Sequence, residues 1–300
     1  MRTIKDTNDE NFQISESILG SVKAGRESII KDWVEKNFRF GFVLTPELRL
    51  QIQSKTHLLM NTDIPCVIES CKNLTIKNCS MKTFTIPTRC EKVSIIECPN
   101  LEEIICPTNS YGVELYIEDC AALKSIDIDN FYVNNLVIKK CENVTELNKV
   151  RYVQNLIQVE NCKKFRTYSL NNEFACSISF YRCPLKYYNS LVVAREFSLE
   201  NILKTSDIEF EIGNVTDLRI TNCNSLEQLT IKGQNPQEVV IDNNANLKVI
   251  NLNINPTYSL SICNMSNLEK IETPKKLNCH AIFKKINLKP EVKAKSIIVK

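Results

Sequence analysis

The chain has 300 residues, with 38 Lys and Arg against 35 Asp and Glu and a formal net charge of +3. So even a balance gives no strong pull toward nucleic acid or an anionic membrane, and no run of about 18 apolar residues occurs that would read as a membrane-spanning helix. Six Gly and ten Pro leave no material for low-complexity linkers, so most of the chain is expected to be ordered.

The N-terminus, MRTIKDTNDENFQISES, is polar and has no apolar run of signal-peptide length, which makes the cytoplasm the expected location. Residues 1–62 follow no repeat. Between Ser15 and Phe38, the residues Ile18, Leu19, Val22, Ile29, Ile30, Trp33 and Val34 recur at three- and four-residue steps, the period of an amphipathic helix. Thr45-Pro46-Glu47 is a second start signal, with Thr as N-cap and Pro at the first helical position. The helix it opens is expected to run through Leu48, Leu50 and Ile52 towards Leu58 and Leu59.

From residue 63 to 288 one pattern repeats. Leu115-x-Ile117-x-x-Cys120-x-x-Leu123 returns as Leu136-x-Ile138-x-x-Cys141-x-x-Val144, a step of 21 residues. Its Cys position falls at Cys79, Cys98, Cys120, Cys141, Cys162, Cys183, Ile202, Cys223, Asn244, Met265 and Ile286. A period of this length held over about eleven units predicts a solenoid of stacked coils, and helices at its head would cap the first coil. Each coil carries a short strand: alternation sends Leu136 and Ile138 into the core and Val137 and Lys139 outward. A second apolar segment follows, as in Leu123-x-x-Ile126-x-Ile128 and Leu226-x-x-Leu229-x-Ile231. Its β-branched residues and the short period leave little room for a helix, so strands are expected on both sides. Lys289-Pro290 breaks the frame. Residues 289–300 then read as an edge strand or tail at Ser296 to Val299, with Lys293, Lys295 and Lys300 around it.

Written out in full, Cys71-x-x-Leu74-x-Ile76-x-x-Cys79, Val133-x-x-Leu136-x-Ile138-x-x-Cys141 and Val215-x-x-Leu218-x-Ile220-x-x-Cys223 resemble the LxxLxLxx(N/C) signature of leucine-rich repeats over about 220 residues. Continued as CxxLxxI they look like the cysteine-containing subclass. In the other register, Cys98 to Pro107 resembles the CxxLxxIxIP of the bacterial-surface type. The resemblance implies a mainly β repeat solenoid of parallel strands with few convex helices, here behind an α-helical N-terminal cap. It also implies a non-catalytic protein–protein interaction module that binds through a concave strand face. In that family an Asn at the Cys position bonds neighbouring backbone, whereas a Cys packs there as a small weak donor; this chain has one such Asn, Asn244. Phe42 to Leu48 resembles the opening of an F-box, which would make the chain a substrate receptor of a ubiquitin ligase. The rival fold is a parallel β-helix, whose carbohydrate-active members would need a carboxylate pair such as Glu118 and Glu160. The missing third apolar strand per coil and the intervening Lys139 count against it.

Catalytic chemistry finds few residues to use. His57 and His280 are the only histidines, and His280 adjoins Cys279 on an extended segment, where neighbours point opposite ways. No CxxC occurs and no glycine-rich phosphate loop can be assembled. No catalytic residue, metal or cofactor is therefore expected. Seven of the 14 cysteines share one repeat position with Ile, Met and Asn, which is how buried reduced thiols behave.

The outward positions of the strands define the expected binding face. The candidates are Tyr116, Glu118, Lys139, Glu160, Tyr181, Glu200, Arg219 and Asp242, with the two tyrosines as anchors and Glu118, Lys139 and Glu160 as an alternating charge ladder. The next column reads Asn78, Glu97, Asp119, Lys140, Asn161, Arg182, Asn201, Asn222, Asn243 and Asn264. Its Asn residues mark the place where each strand must turn through left-handed backbone. None of the columns is a basic strip with interleaved aromatics, so the expected partner of this monomer is a protein.

Overall fold

The computed structural model describes residues 2–3, 42–43, 56–60, 70–87, 89–106, 111–147, 150–166, 177–185, 191–274, 276–288 and 294–299. The first helix expected within residues 1–62, the second as far as residue 55, and all of the F-box-like stretch beyond Phe42 and Val43 lie outside them. Arg2–Thr3 pairs in parallel with Phe42–Val43. The chain divides into two compact units, residues 1–144 with 149–152 and residues 145–148 with 153–300. Each is a β-solenoid of parallel strands, and the chain makes about nine turns in all.

In the first unit one face is built by Thr56–Met60, Ser70–Lys77, Arg89–Ile96, Tyr111–Glu118 and the later half of Ser125–Lys139. Their register stacks like positions: Leu74, Val93, Leu115 and Leu136 form one row, and Ile76, Ile95, Ile117 and Ile138 another. All eight are buried. The opposite face is formed by Thr83–Thr85, Glu103–Ile105 and the first half of Ser125–Lys139, with Phe84, Ile104 and Ile126 aligned. Thr56–Met60 corrects one sequence expectation. It is a strand in register with Asn73 to Lys77, not the end of the helix opened at Thr45.

The second unit repeats the plan. One face holds Val150–Glu160 (from Val153 onward), Ser177–Tyr181, Glu196–Glu200, Asp217–Thr221, Glu238–Asp242, Ser259–Met265, His280–Ile286 and Ser296–Val299. The other holds Leu191–Val192, Asp207–Ile212, Gln228–Gly233, Val249–Asn253 and Lys270–Glu272. Inside, Val159, Phe180, Leu199, Ile220, Ile241, Ile262 and Phe283 form one continuous buried row. Aromatic rings widen part of the core: Phe165 stacks on Phe180 at 5.5 Å, and Phe197 meets Phe210 edge-on at 5.4 Å. Each such side chain stabilises the fold by about 1.5–3 kcal/mol through burial. Among the described residues the two apolar segments of the repeats are thus the inner rows of two facing sheets, as expected. Gly233 closes one strand at φ +109°, and a Cβ there would stand 2.1 Å from the Ile212 carbonyl oxygen. Only glycine fits.

Candidate functional site

The face that the sequence singled out is the solvent side of the longer strands, and the turn that ends each strand positions it. All ten residues of the expected turn column have positive φ, between 51° and 58°. Six are Asn, which tolerates this conformation; Glu97, Asp119, Lys140 and Arg182 adopt it too. The turn keeps its backbone N–H in the ladder. Asn78 donates to the Ile96 carbonyl at 3.0 Å, Glu97 to Glu118 at 3.0 Å, Asn201 to Thr221 at 3.0 Å and Asn222 to Asp242 at 3.1 Å.

The side chains of this column have a second task, which the sequence reading did not find. Four of them reach back to the outward residue of the preceding coil. Glu97 pairs with Lys77 at 3.4 Å, and Lys140 with Glu118 at 2.8 Å. In the second unit Asn222 donates to Glu200 at 3.5 Å and Asn264 to Asp242 at 2.7 Å. The expected Glu118–Lys139 rung does exist as backbone register. The ion pair of Glu118, however, is with Lys140, because the left-handed turn swings that side chain over the preceding coil. A signal was available: Lys77 and Glu97, like Glu118 and Lys140, carry opposite charges about one period apart.

Of the candidates in the first unit, Tyr116 donates its hydroxyl to Glu118 at 2.5 Å, and Lys139 is half-buried beside them. Lys140 first, then Tyr116, hold the Glu118 carboxyl below its ordinary range. In the second unit Glu160, Tyr181, Glu200, Thr221 and Asp242 fall in one register row, and Arg219 lies in the row beside it. Tyr181 carries the Arg182 guanidinium over its ring at 5.0 Å, a cation–π contact. Glu160 accepts a hydrogen bond from Asn161 at 3.1 Å, and Arg219 is exposed. The result is a mixed-charge strip with one aromatic–guanidinium pair. The side chains of Tyr116, Glu118, Glu160, Tyr181, Glu200 and Asp242 are tied to their neighbours before any partner arrives.

Beneath the strip runs the cysteine column. Each thiol donates to the carbonyl two residues back, as Cys120 to Glu118 at 3.5 Å and Cys223 to Thr221 at 3.3 Å. Eleven cysteines, the seven of this column among them, are free thiols. The Cys98 and Cys120 thiols are pushed up to about 12, first by hydrogen bonding to the next cysteine in the stack and then by burial. Burial pushes Cys223 up to about 11. Such groups stay protonated and are poor nucleophiles. Asn244 takes the same position and is fully buried. Its Oδ1 accepts from the Cys223 N–H at 2.7 Å and its Nδ2 donates to the Ile220 carbonyl at 3.0 Å.

Among the described residues no three His, Cys, Asp or Glu side chains are grouped to hold a metal ion. Comparison with known protein families, with characterised proteins and with solved structures returns no match. By its fold the chain is a β-solenoid repeat protein.

Proposed function

We propose that the chain is a non-catalytic protein–protein interaction module of the leucine-rich-repeat kind, and that it binds through the solvent side of the longer strands. The observation that carries this reading is the row Glu160, Tyr181, Glu200, Thr221 and Asp242 with Arg219 beside it. These residues stand on adjacent strands at sheet spacing, with Glu200 and Asp242 held by cross-coil hydrogen bonds. Side chains fixed in advance lose less freedom on binding, and Tyr and Arg are the residue types that most often anchor protein interfaces. Kinship with leucine-rich repeats is supported by the Asn244 side chain, which bonds the backbone of the preceding coil as that resemblance implies. The free, high-pKa cysteine column supports a reducing, cytoplasmic setting. In this reading residues 1–62 cap the repeats and the protein acts as a monomer.

The test is affinity capture under reducing conditions with the full chain, Tyr181→Ala, Glu200→Lys with Asp242→Lys, and Lys248→Ala. Lys248 pairs with Glu227 away from the strip, at 2.7 Å. A partner lost with the first two variants and kept with the last is the expected result. A partner kept by all of them sinks the strip as the binding face.

A further inference from the structure

On three central strands of the second unit, Glu196–Glu200, Asp217–Thr221 and Glu238–Asp242, the solvent-facing positions carry five carboxylates and one guanidinium. They stand in two columns. Glu196, Asp217 and Glu238 share one register position at the start of their strands, and Glu200 and Asp242 flank Thr221 at the end. Neighbours within a column are about 4.8 Å apart at the backbone, and the two columns are about 13 Å apart along the strands. Between them the outward side chains are Ser198, Arg219 and Val240. The strands on either side are neutral at these positions, with Ser177, Ser179 and Tyr181 before and Ser259, Ser261 and Cys263 after.

Like charges directly opposite in a sheet repel, and the first unit avoids them in the same column. There it reads Asn73, Lys92, Glu114 and Asn135, and Glu114 meets Lys92 at 4.0 Å and Asn135 at 3.4 Å. In the second unit Glu196, Asp217 and Glu238 make no ion pair among the described residues. The end column differs in the same sense. In the first unit its turn residues include counter-ions, Lys140 on Glu118 and Glu97 on Lys77. Beside the three acidic strands they are amides. Asn222 donates to Glu200 and Asn264 to Asp242, which aims each carboxylate and leaves its charge in place. A cation already sits at the neutral margin of this face, where the Arg182 guanidinium lies over the Tyr181 ring.

Resting on the reading of the strip as the binding face, we propose that its occupant is an extended basic segment of a partner protein. The segment carries about four consecutive Lys or Arg and lies along the stack between the two columns. An extended chain sends alternate side chains to opposite sides, so successive cations reach Glu196, Asp217 and Glu238 on one side and Glu200 and Asp242 on the other. Two strand spacings cover about 10 Å, as do four residues of extended chain. Arg219, between the columns, is placed to donate to the backbone carbonyls of the segment. Complementary charge sets partner choice and speeds association.

The probe is a fluorescent eight-residue peptide with Arg and Lys alternating at its four central positions and Gly and Ser outside them, titrated against the full chain by anisotropy. The controls are the same peptide with Glu at those four positions, and spermine as a competitor of equal charge. Expected is saturable binding that falls at least tenfold in Glu196→Gln with Asp217→Asn and Glu238→Gln. These side chains are exposed or half-buried and their substitutes match them in size, so circular dichroism should report an unchanged fold. Glu209→Gln with Glu227→Gln and Glu272→Gln removes the same charge in or beside the other sheet. That set should leave binding within about twofold at about 0.15 M salt, where distant charges are screened. The proposal is overturned by absence of saturable binding below about 1 mM, by equal binding of the Glu peptide, or by an equal loss in both sets of variants. Displacement by spermine at the peptide's own concentration would also overturn it, because it would mark a general cation patch with no use for a peptide backbone. The affinity capture uses no peptide. A partner lost with Tyr181→Ala while the peptide fails would therefore retain the strip and discard only its basic occupant.

Discussion

Asn244 shows what one polar atom pair does inside an apolar stack. The backbone groups it satisfies, the Cys223 N–H and the Ile220 carbonyl, are sealed from water by the same packing that buries Asn244. Asn244→Leu keeps the volume and strands both groups, at about 1–3 kcal/mol each. Asn244→Cys returns a weak donor but no comparable acceptor and should fall between. Met265→Leu, at the equivalent buried position one coil on, should cost under about 1.5 kcal/mol. Urea midpoints at unchanged slope test the ordering; an Asn244→Leu protein as stable as wild type would remove the polar bridge as a stabilising element. The turn residues give the converse case. Lys204 is exposed and sits at φ 56°, where an L side chain other than Asn or Asp is strained. Lys204→Asn should raise stability by up to about 1 kcal/mol. Gly233→Ala should lower it by more than about 1 kcal/mol, because the added Cβ meets the Ile212 backbone.

At the scale of the element, the cysteine column makes the fold sensitive to alkali. In the folded chain Cys98 and Cys120 titrate near 12, above the ordinary thiol value of 9.0. Below pH 9 both folded and unfolded chains hold these protons, and the full stability is present. As pH climbs from about 9 towards 12 the unfolded chain releases them first, so it binds fewer protons than the native state and stability falls. Cys98→Ala with Cys120→Ala should flatten that decline in a series of melting temperatures at rising pH, although its neutral-pH stability drops through lost packing. An unaltered alkaline slope would contradict the shift. This column, the inward rows and the turn column were all legible in the sequence, because each depends on one residue type returning at a fixed step. What escaped depends on direction instead of period. Opposite charges about one period apart mark both Lys139 and Lys140 as partners for Glu118, and only the hand of the turn selects Lys140. Nor does Leu58-Leu59 announce a strand: two adjacent apolar residues suit a helix as well, and pairing with Ser70–Lys77 decides the matter. The unbroken strand Ser125–Lys139 was hidden because its two halves read as separate apolar segments. The column of Glu196, Asp217 and Glu238 is masked in a chain whose overall charge is close to neutral.

Taken as a whole molecule, each solenoid unit has no central core to which all strands report. A coil is bonded to the one before and the one after, and its stability is set by those interfaces. Leu229 tests this within the second unit. It is fully buried and in register with Ile208 on one side and Ile250 on the other. Leu229→Ala leaves a cavity between three coils and should cost about 2–5 kcal/mol. In a nearest-neighbour array the loss is local. Hydrogen exchange should quicken in Asp207–Ile212, Gln228–Gly233 and Val249–Asn253, while the Ser177–Tyr181 amides keep their protection. Uniform quickening across the unit would mean that its coils open together as one cooperative block. That outcome would also alter the reading of the binding strip, since a partner gripping Tyr181 could then sense a change at Leu229. Local quickening would confine the influence of each coil to its neighbours, so that a partner's affinity depends only on the few coils it touches.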